Sequence, residues 1–150
     1  MPFAWRAFCW SFWIILAPLP AMGQEMRPPL LIGHREWAVV ETGLLRLQAK
    51  IDTGAATSSL DIDAQEWSRK DGVSRVRFRV TPERGRQVVL ERPVVRLARI
   101  RRAGLSPDSR PVVMLHICLG DRTLETEVNL TDRGNMTHPL LLGRHFLKKG

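Results

Sequence analysis

From Trp37 onward the chain is a series of short segments in which apolar and polar residues alternate, the period of strands buried on one face. Residues 37–40 (Trp-Ala-Val-Val) form a short apolar run. In 44–51, Leu45, Leu47, Ala49 and Ile51 share one face. In 76–80, Val76, Phe78 and Val80 alternate with Arg77 and Arg79. Residues 86–91 and 94–100 continue the pattern. The apolar run 112–119 and the segment 124–130 flank Gly120-Asp121, a pair suited to a tight hairpin turn. Pro82, Gly85, Pro93, Gly104, Pro107 and Pro111 punctuate the boundaries.

Few segments carry a helical period. Residues 63–70 (Asp-Ala-Gln-Glu-Trp-Ser-Arg-Lys) predict two helical turns, and 143–149 predict a short C-terminal helix. There is no internal repeat, heptad or low-complexity tract. The pattern predicts a mainly β domain with short hairpins, as a small barrel or a sandwich.

The first 23 residues are set apart by composition. Arg6 precedes an apolar run from Ala7 to Leu19, and the small residues Ala21 and Gly23 follow. This is the layout of a cleavable secretory signal, with the mature chain starting at Gln24 and exported to the periplasm or beyond. The run is short and broken by proline for a membrane span. Membrane attachment is expected only if the signal stays uncleaved. Residues 24–150 make one domain by length. They retain 22 basic and 15 acidic side chains, a net of +7. That charge reads as a solvated basic surface or as attraction to acidic peptides, anionic polymers or lipid headgroups. Nucleic acid is not an expected partner, because the basic residues are not interleaved with aromatics. Cys118 is the one cysteine after the signal, so no intrachain disulfide is expected, and its apolar run predicts a buried thiol.

The candidate chemistry lies at Asp52-Thr53-Gly54-Ala55. A predicted strand delivers the aspartate, and Gly54 permits a close backbone approach. Such a residue serves as a turn former or as a fixed, ionised carboxylate accepting backbone amides. A second motif tips the balance. Leu140, Leu141 and Leu142 run into Gly143 and Arg144, a strand apolar on both faces before a short helix.

An apolar lead into Asp-Thr-Gly-Ala, followed much later by apolar-apolar-Gly-Arg and a terminal helix, resembles the retropepsin fold of aspartic proteases. Residues 31–40, 47–62, 117–120 and 135–147 resemble more closely a bacterial retropepsin-like family formerly labelled ATP-dependent zinc proteases, some members of which trim glutamate tails from a ribosomal protein. The resemblance spans about Leu31 to Leu147. It implies a closed β-barrel with a short C-terminal helix and aspartic-type peptidase activity on a peptide or protein substrate. Asp52 is then the catalytic residue, and Thr53, Gly54, Ala55, Leu141, Leu142, Gly143 and Arg144 support its loop. The resemblance further implies that Thr53 bonds its counterpart across a two-fold axis and that Gly54 offers an amide to the carboxylate. Aspartic proteolysis needs two carboxylates sharing a proton. One Asp-Thr-Gly per chain therefore implies a homodimer.

The chain departs from viral retropepsins. Ala56 stands where they carry a second Asp, so Arg144 needs another partner, such as a carbonyl or a dimer contact. His145 stands where an Asn is common, and the chain ends at Gly150 without their interface strand. The expected flap is the hairpin 101–110, with Gly104, Leu105 and Pro107 near its tip. No cofactor and no metal are expected. A phosphate loop is absent from the sequence, and the four histidines, His34, His116, His138 and His145, do not form a His-Glu-x-x-His motif. The alternatives are a peptide- or polymer-binding module on the same fold, and a zinc-dependent hydrolase.

Overall fold

The alternating segments pair into a barrel in a computed structural model that describes residues 28–82, 85–100, 108–132 and 137–149. β1 (Arg35–Val40) and β2 (Leu45–Ile51) form the first hairpin, through Glu41, Thr42 and Gly43, all at positive φ. β3 (Ser58–Asp61), β8 (Asp108–Leu119), β9 (Arg122–Thr131) and β10 (Leu140–Leu142) complete the ring in the order β1-β2-β10-β3-β9-β8. Ala38, Val39 and Val40 pair with Leu119, Cys118 and Ile117, which closes β1 onto β8. Closure leaves those six strands without a free sheet edge between them. β7 (Arg96–Ile100) pairs with the other end of β8, at residues 108–112.

The period-two pattern is reproduced in burial. Leu45, Leu47 and Ala49 are fully buried on β2, and Leu115 and Ile117 on β8. A second sheet contains β4 (Ala64–Lys70), β5 (Val73–Val80) and β6 (Val88–Pro93). Its inner residues Val76, Phe78, Val80 and Leu90 join the same hydrophobic cluster as the barrel. α1 (Arg144–Leu147) closes the fold and buries Phe146 against that cluster.

Two expectations are corrected. Residues 64–70 form a strand rather than two helical turns. All seven residues of β4 are exposed, so no apolar period marks the segment. Its conformation is set by seven cross-strand pairs with β5 and by the turn at Asp71 and Gly72, whose φ values of 52° and 79° suit a two-residue hairpin. Cys118 is half-buried rather than buried. On β8 Leu115, Ile117 and Leu119 take the inner face, so Cys118 falls on the outer one, with its Sγ 3.6 Å from the Gly120 carbonyl.

Among the described residues no helix is long and apolar enough to cross a membrane. The expected signal at 1–23 and the flap residues Gly104, Leu105 and Pro107 lie outside the described residues.

Candidate active site

β10 is the element on which the site is built. It lies between β2 and β3, parallel to the former and antiparallel to the latter. Leu140 and Leu142 are fully buried, which accounts for a strand without polar positions. The Asp52 amide donates to the Leu142 carbonyl at 3.0 Å, so β2 runs alongside β10 up to the aspartate itself. The chain then turns away through Thr53 and Gly54.

The turn folds back onto the carboxylate. Asp52 Oδ1 accepts the amides of Gly54 at 2.9 Å and Ala55 at 3.1 Å. The Lys50 ammonium stands 3.4 Å from Oδ2. The Asp52 carboxyl is held below its ordinary value chiefly by the Ala55 amide. The Gly54 amide and Lys50 act in the same direction, and desolvation opposes them. An isolated chain therefore presents an ionised, oriented carboxylate, and the side chain remains 27% exposed.

The loop is clamped from the C-terminal side. Arg144 Nη1 donates to the carbonyls of Thr53 at 3.0 Å and Gly54 at 2.8 Å. With Ala56 in place of a carboxylate, backbone carbonyls take the guanidinium. The first helical amides are not capped by a side chain. Instead Arg144 N donates to the Ala55 carbonyl at 2.9 Å and His145 N to the Ala56 carbonyl at 3.0 Å. Gly143 N donates to Ser58 Oγ at 3.2 Å. A Cβ at Gly143 would lie 2.7 Å from both the carbonyl carbon and oxygen of Thr57 and 3.0 Å from the Ala55 carbonyl oxygen. Glycine is required there by space, since its φ of −94° is open to any residue.

Asp52, Thr53, Gly54, Ala55, Leu142, Gly143 and Arg144 thus converge in one loop-and-brace unit. Leu141 belongs to the same brace through its pairs with Lys50 and Ser59. Three neighbours are not singled out by the sequence reading. Lys50 carries a local signal, because residues two apart on a strand share a face. Ser58 and Asn129 carry none. Asn129 Nδ2 donates to the Ser58 carbonyl at 2.6 Å across 71 positions of sequence, and only the β3–β9 pairing brings them together. Beside the loop lies an apolar hollow of about 410 Å³, bordered by Leu30, Ile32, Ile51, Thr53, Leu124 and Leu147. Among the described residues no group of three or more His, Cys, Asp or Glu side chains is placed to hold a metal ion.

Comparison with known proteins bears on the fold and the family. Residues 31–150 match the model of the RimB-like family, described as retropepsin-like aspartic endopeptidase RimB. A probable alpha-L-glutamate ligase of Parasynechococcus marenigrum is 32% identical over 81% of this chain and 27% of its own length. One of Desulfotalea psychrophila is 30% identical over 78% and 26%. The chain therefore spans about a quarter of the length of these curated relatives. Among solved structures, a protein of unknown function from Legionella pneumophila is 35% identical, with a TM-score of 0.66 over 78% of this chain and 85% of that one. The barrel, the braced Asp-Thr-Gly loop and the match over 31–150 together place this chain in the RimB-like family of retropepsin-like aspartic endopeptidases.

Proposed function

We propose that the chain is an exported aspartic endopeptidase whose reacting pair is Asp52 from each of two copies. The observation that carries this reading is the Asp52 carboxylate fixed by the Gly54 and Ala55 amides, in a loop clamped by Gly143 and Arg144. Two such carboxylates brought face to face cannot both ionise, so the pair holds one proton. The ionised member takes a proton from water, whose oxygen attacks the scissile carbonyl carbon. The protonated member donates to the carbonyl oxygen, which gives a neutral tetrahedral diol. Collapse of the diol breaks the C–N bond, a proton passes to the leaving nitrogen, and the pair returns to its one-proton state.

Thr53 is the contact proposed between the two loops, and the apolar hollow beside it offers surface for the second copy. Residues 101–110 are the proposed flap, which would exclude water from the pair. Its arginines and the basic surface suit an acidic peptide. Export is proposed from the N-terminal pattern, with the domain beginning near Gln24.

A second reading has its own support. The curated relatives bear the name of a ligase, and the segment matched in them is about a quarter of their length. A domain of this kind attached to a ligase could bind peptide without cutting it. One experiment separates the readings: a peptide-library digest with purified protein, wild type beside Asp52→Asn. The endopeptidase reading expects cleavage that the substitution abolishes with the fold intact. Cleavage that survives in Asp52→Asn removes the aspartic mechanism. Peptide binding without cleavage by either protein selects the binding module.

A further inference from the structure

The two oxygens of the Asp52 carboxylate have different surroundings. Both loop amides go to Oδ1. Oδ2 faces one cation, the Lys50 ammonium at 3.4 Å. Lys50 reaches it because β2 runs extended to Ile51 and puts alternate residues on one face. The other charged groups on the neighbouring elements make no hydrogen bond or ion pair to Asp52 among the described residues. Arg35 on β1 is the cross-strand neighbour of Lys50. Glu36, also on β1, accepts the Gly33 amide. His34 contributes its carbonyl to the Ile51 amide. Arg144 on α1 is bonded to the Thr53 and Gly54 carbonyls, and the next residue, His145, gives its amide to Ala56. The β10 neighbour of Lys50 is the apolar Leu141. Among the described residues Lys50 is the only side chain paired with the carboxylate.

We infer that Lys50 is a positioning residue that shifts the ionisation of Asp52 and thereby the pH range in which the proposed peptidase works. The inference rests on Asp52 being the reacting carboxylate. In a dimer each Asp52 brings its own Lys50, so two cations flank a pair that holds one proton. A nearby cation favours the charged form of a carboxyl group. Both titration steps of the pair therefore lie at lower pH with Lys50 than without it. The one-proton window, in which base and acid coexist, moves with them. Lys50 is itself half-exposed, so salt weakens the effect.

The test compares wild type, Lys50→Met and Lys50→Arg by two readouts. The first is the pH profile of kcat/KM on a peptide taken from the library digest. The second is direct titration of the Asp52 carboxyl carbon by NMR, with the signal assigned from Asp52→Asn. In Lys50→Met both limbs of the profile and the NMR midpoints are expected to move to higher pH, and Lys50→Arg is expected to restore them. Added salt should move wild type in the same direction as Lys50→Met. A purely structural Lys50 would lower the rate at every pH and leave the limbs in place, which overturns the inference. Unmoved NMR midpoints in Lys50→Met overturn it as well. Midpoints that move while the limbs stay fixed overturn the link to the working pH. The NMR titration reads the hold of Lys50 on Asp52 whether or not any peptide is cut, so failure of the peptidase reading and failure of this inference are separate results.

Discussion

Gly143 and Thr57 meet backbone to backbone, so closely that a methyl group on Gly143 would lie 2.7 Å from the Thr57 carbonyl. That contact seats the Asp-Thr-Gly loop on the end of β10. The atoms in the way are main chain and cannot rotate aside. Gly143→Ala should therefore destabilise the protein by about 1–3 kcal/mol, the range for overpacking a tight site. Urea unfolding reads this as a lower midpoint with an unchanged slope. An unchanged midpoint would show that the brace yields to a methyl group.

Arg144 holds the same loop through two carbonyls, those of Thr53 and Gly54. The side chain is exposed at the surface, so its contribution to global stability is modest, about 1 kcal/mol. Its effect on the site should be larger. Arg144→Ala frees the carbonyls that keep the Gly54 and Ala55 amides aimed at Asp52. Peptidase rate should fall tenfold or more, at roughly 1.4 kcal/mol per decade, while the unfolding midpoint moves little. A drop in stability with an unaltered rate would contradict this division of roles.

The ionised form of Asp52 is favoured in the fold, first by the Ala55 amide and then by the Gly54 amide and Lys50, against desolvation. A carboxyl group held below its ordinary 3.8 contributes stability that is fully present above that value. The contribution is lost as pH falls through the lower folded value. At concentrations where the chain is monomeric, wild type should therefore be more stable than Asp52→Asn at neutral pH. The difference should shrink below pH 3.8. Paired urea titrations across this range test the sign, and a difference that grows on acidification would contradict it.

The shared-pair reading makes activity depend on concentration. One chain supplies one Asp52, and a lone carboxylate cannot be base and proton donor to the same carbonyl at once. Rate per subunit should fall on dilution and reach a plateau when dimers saturate. The check is a hundredfold dilution series with light scattering alongside. Full activity in a monomer would rule out the two-chain pair.

The proposed export predicts a mass. Protein recovered from the native compartment should begin near Gln24, after Ala21 and Gly23. Intact-mass measurement gives the start directly. A mass that includes Met1 to Gly23 would favour an uncleaved anchor.

Much of this protein is legible along the chain, because burial on one face of a strand leaves a period of two. Leu45, Leu47 and Ala49 on β2, and Val76, Phe78 and Val80 on β5, are predicted inward and are buried. The Gly120 turn and the short helix after Gly143 are also marked locally. Asp52 and the apolar strand at 140–142 are recognisable as a pair of motifs. Tertiary structure decided what has no local period. β4 is exposed on both faces, so its residues read as helix until β5 and the Asp71-Gly72 turn impose an extended register. Cys118 sits in an apolar run, yet the closure of the barrel puts it on the outer face. The insertion of β10 between β2 and β3, the bond from Asn129 to Ser58 and the clamp of Arg144 on the loop carbonyls join segments some 70 to 90 positions apart. Contacts at that separation depend on which strands pair. Pairing between strands not joined by a tight turn is a property of the closed sheet as a whole, and the order of residues along one strand does not name its distant partner.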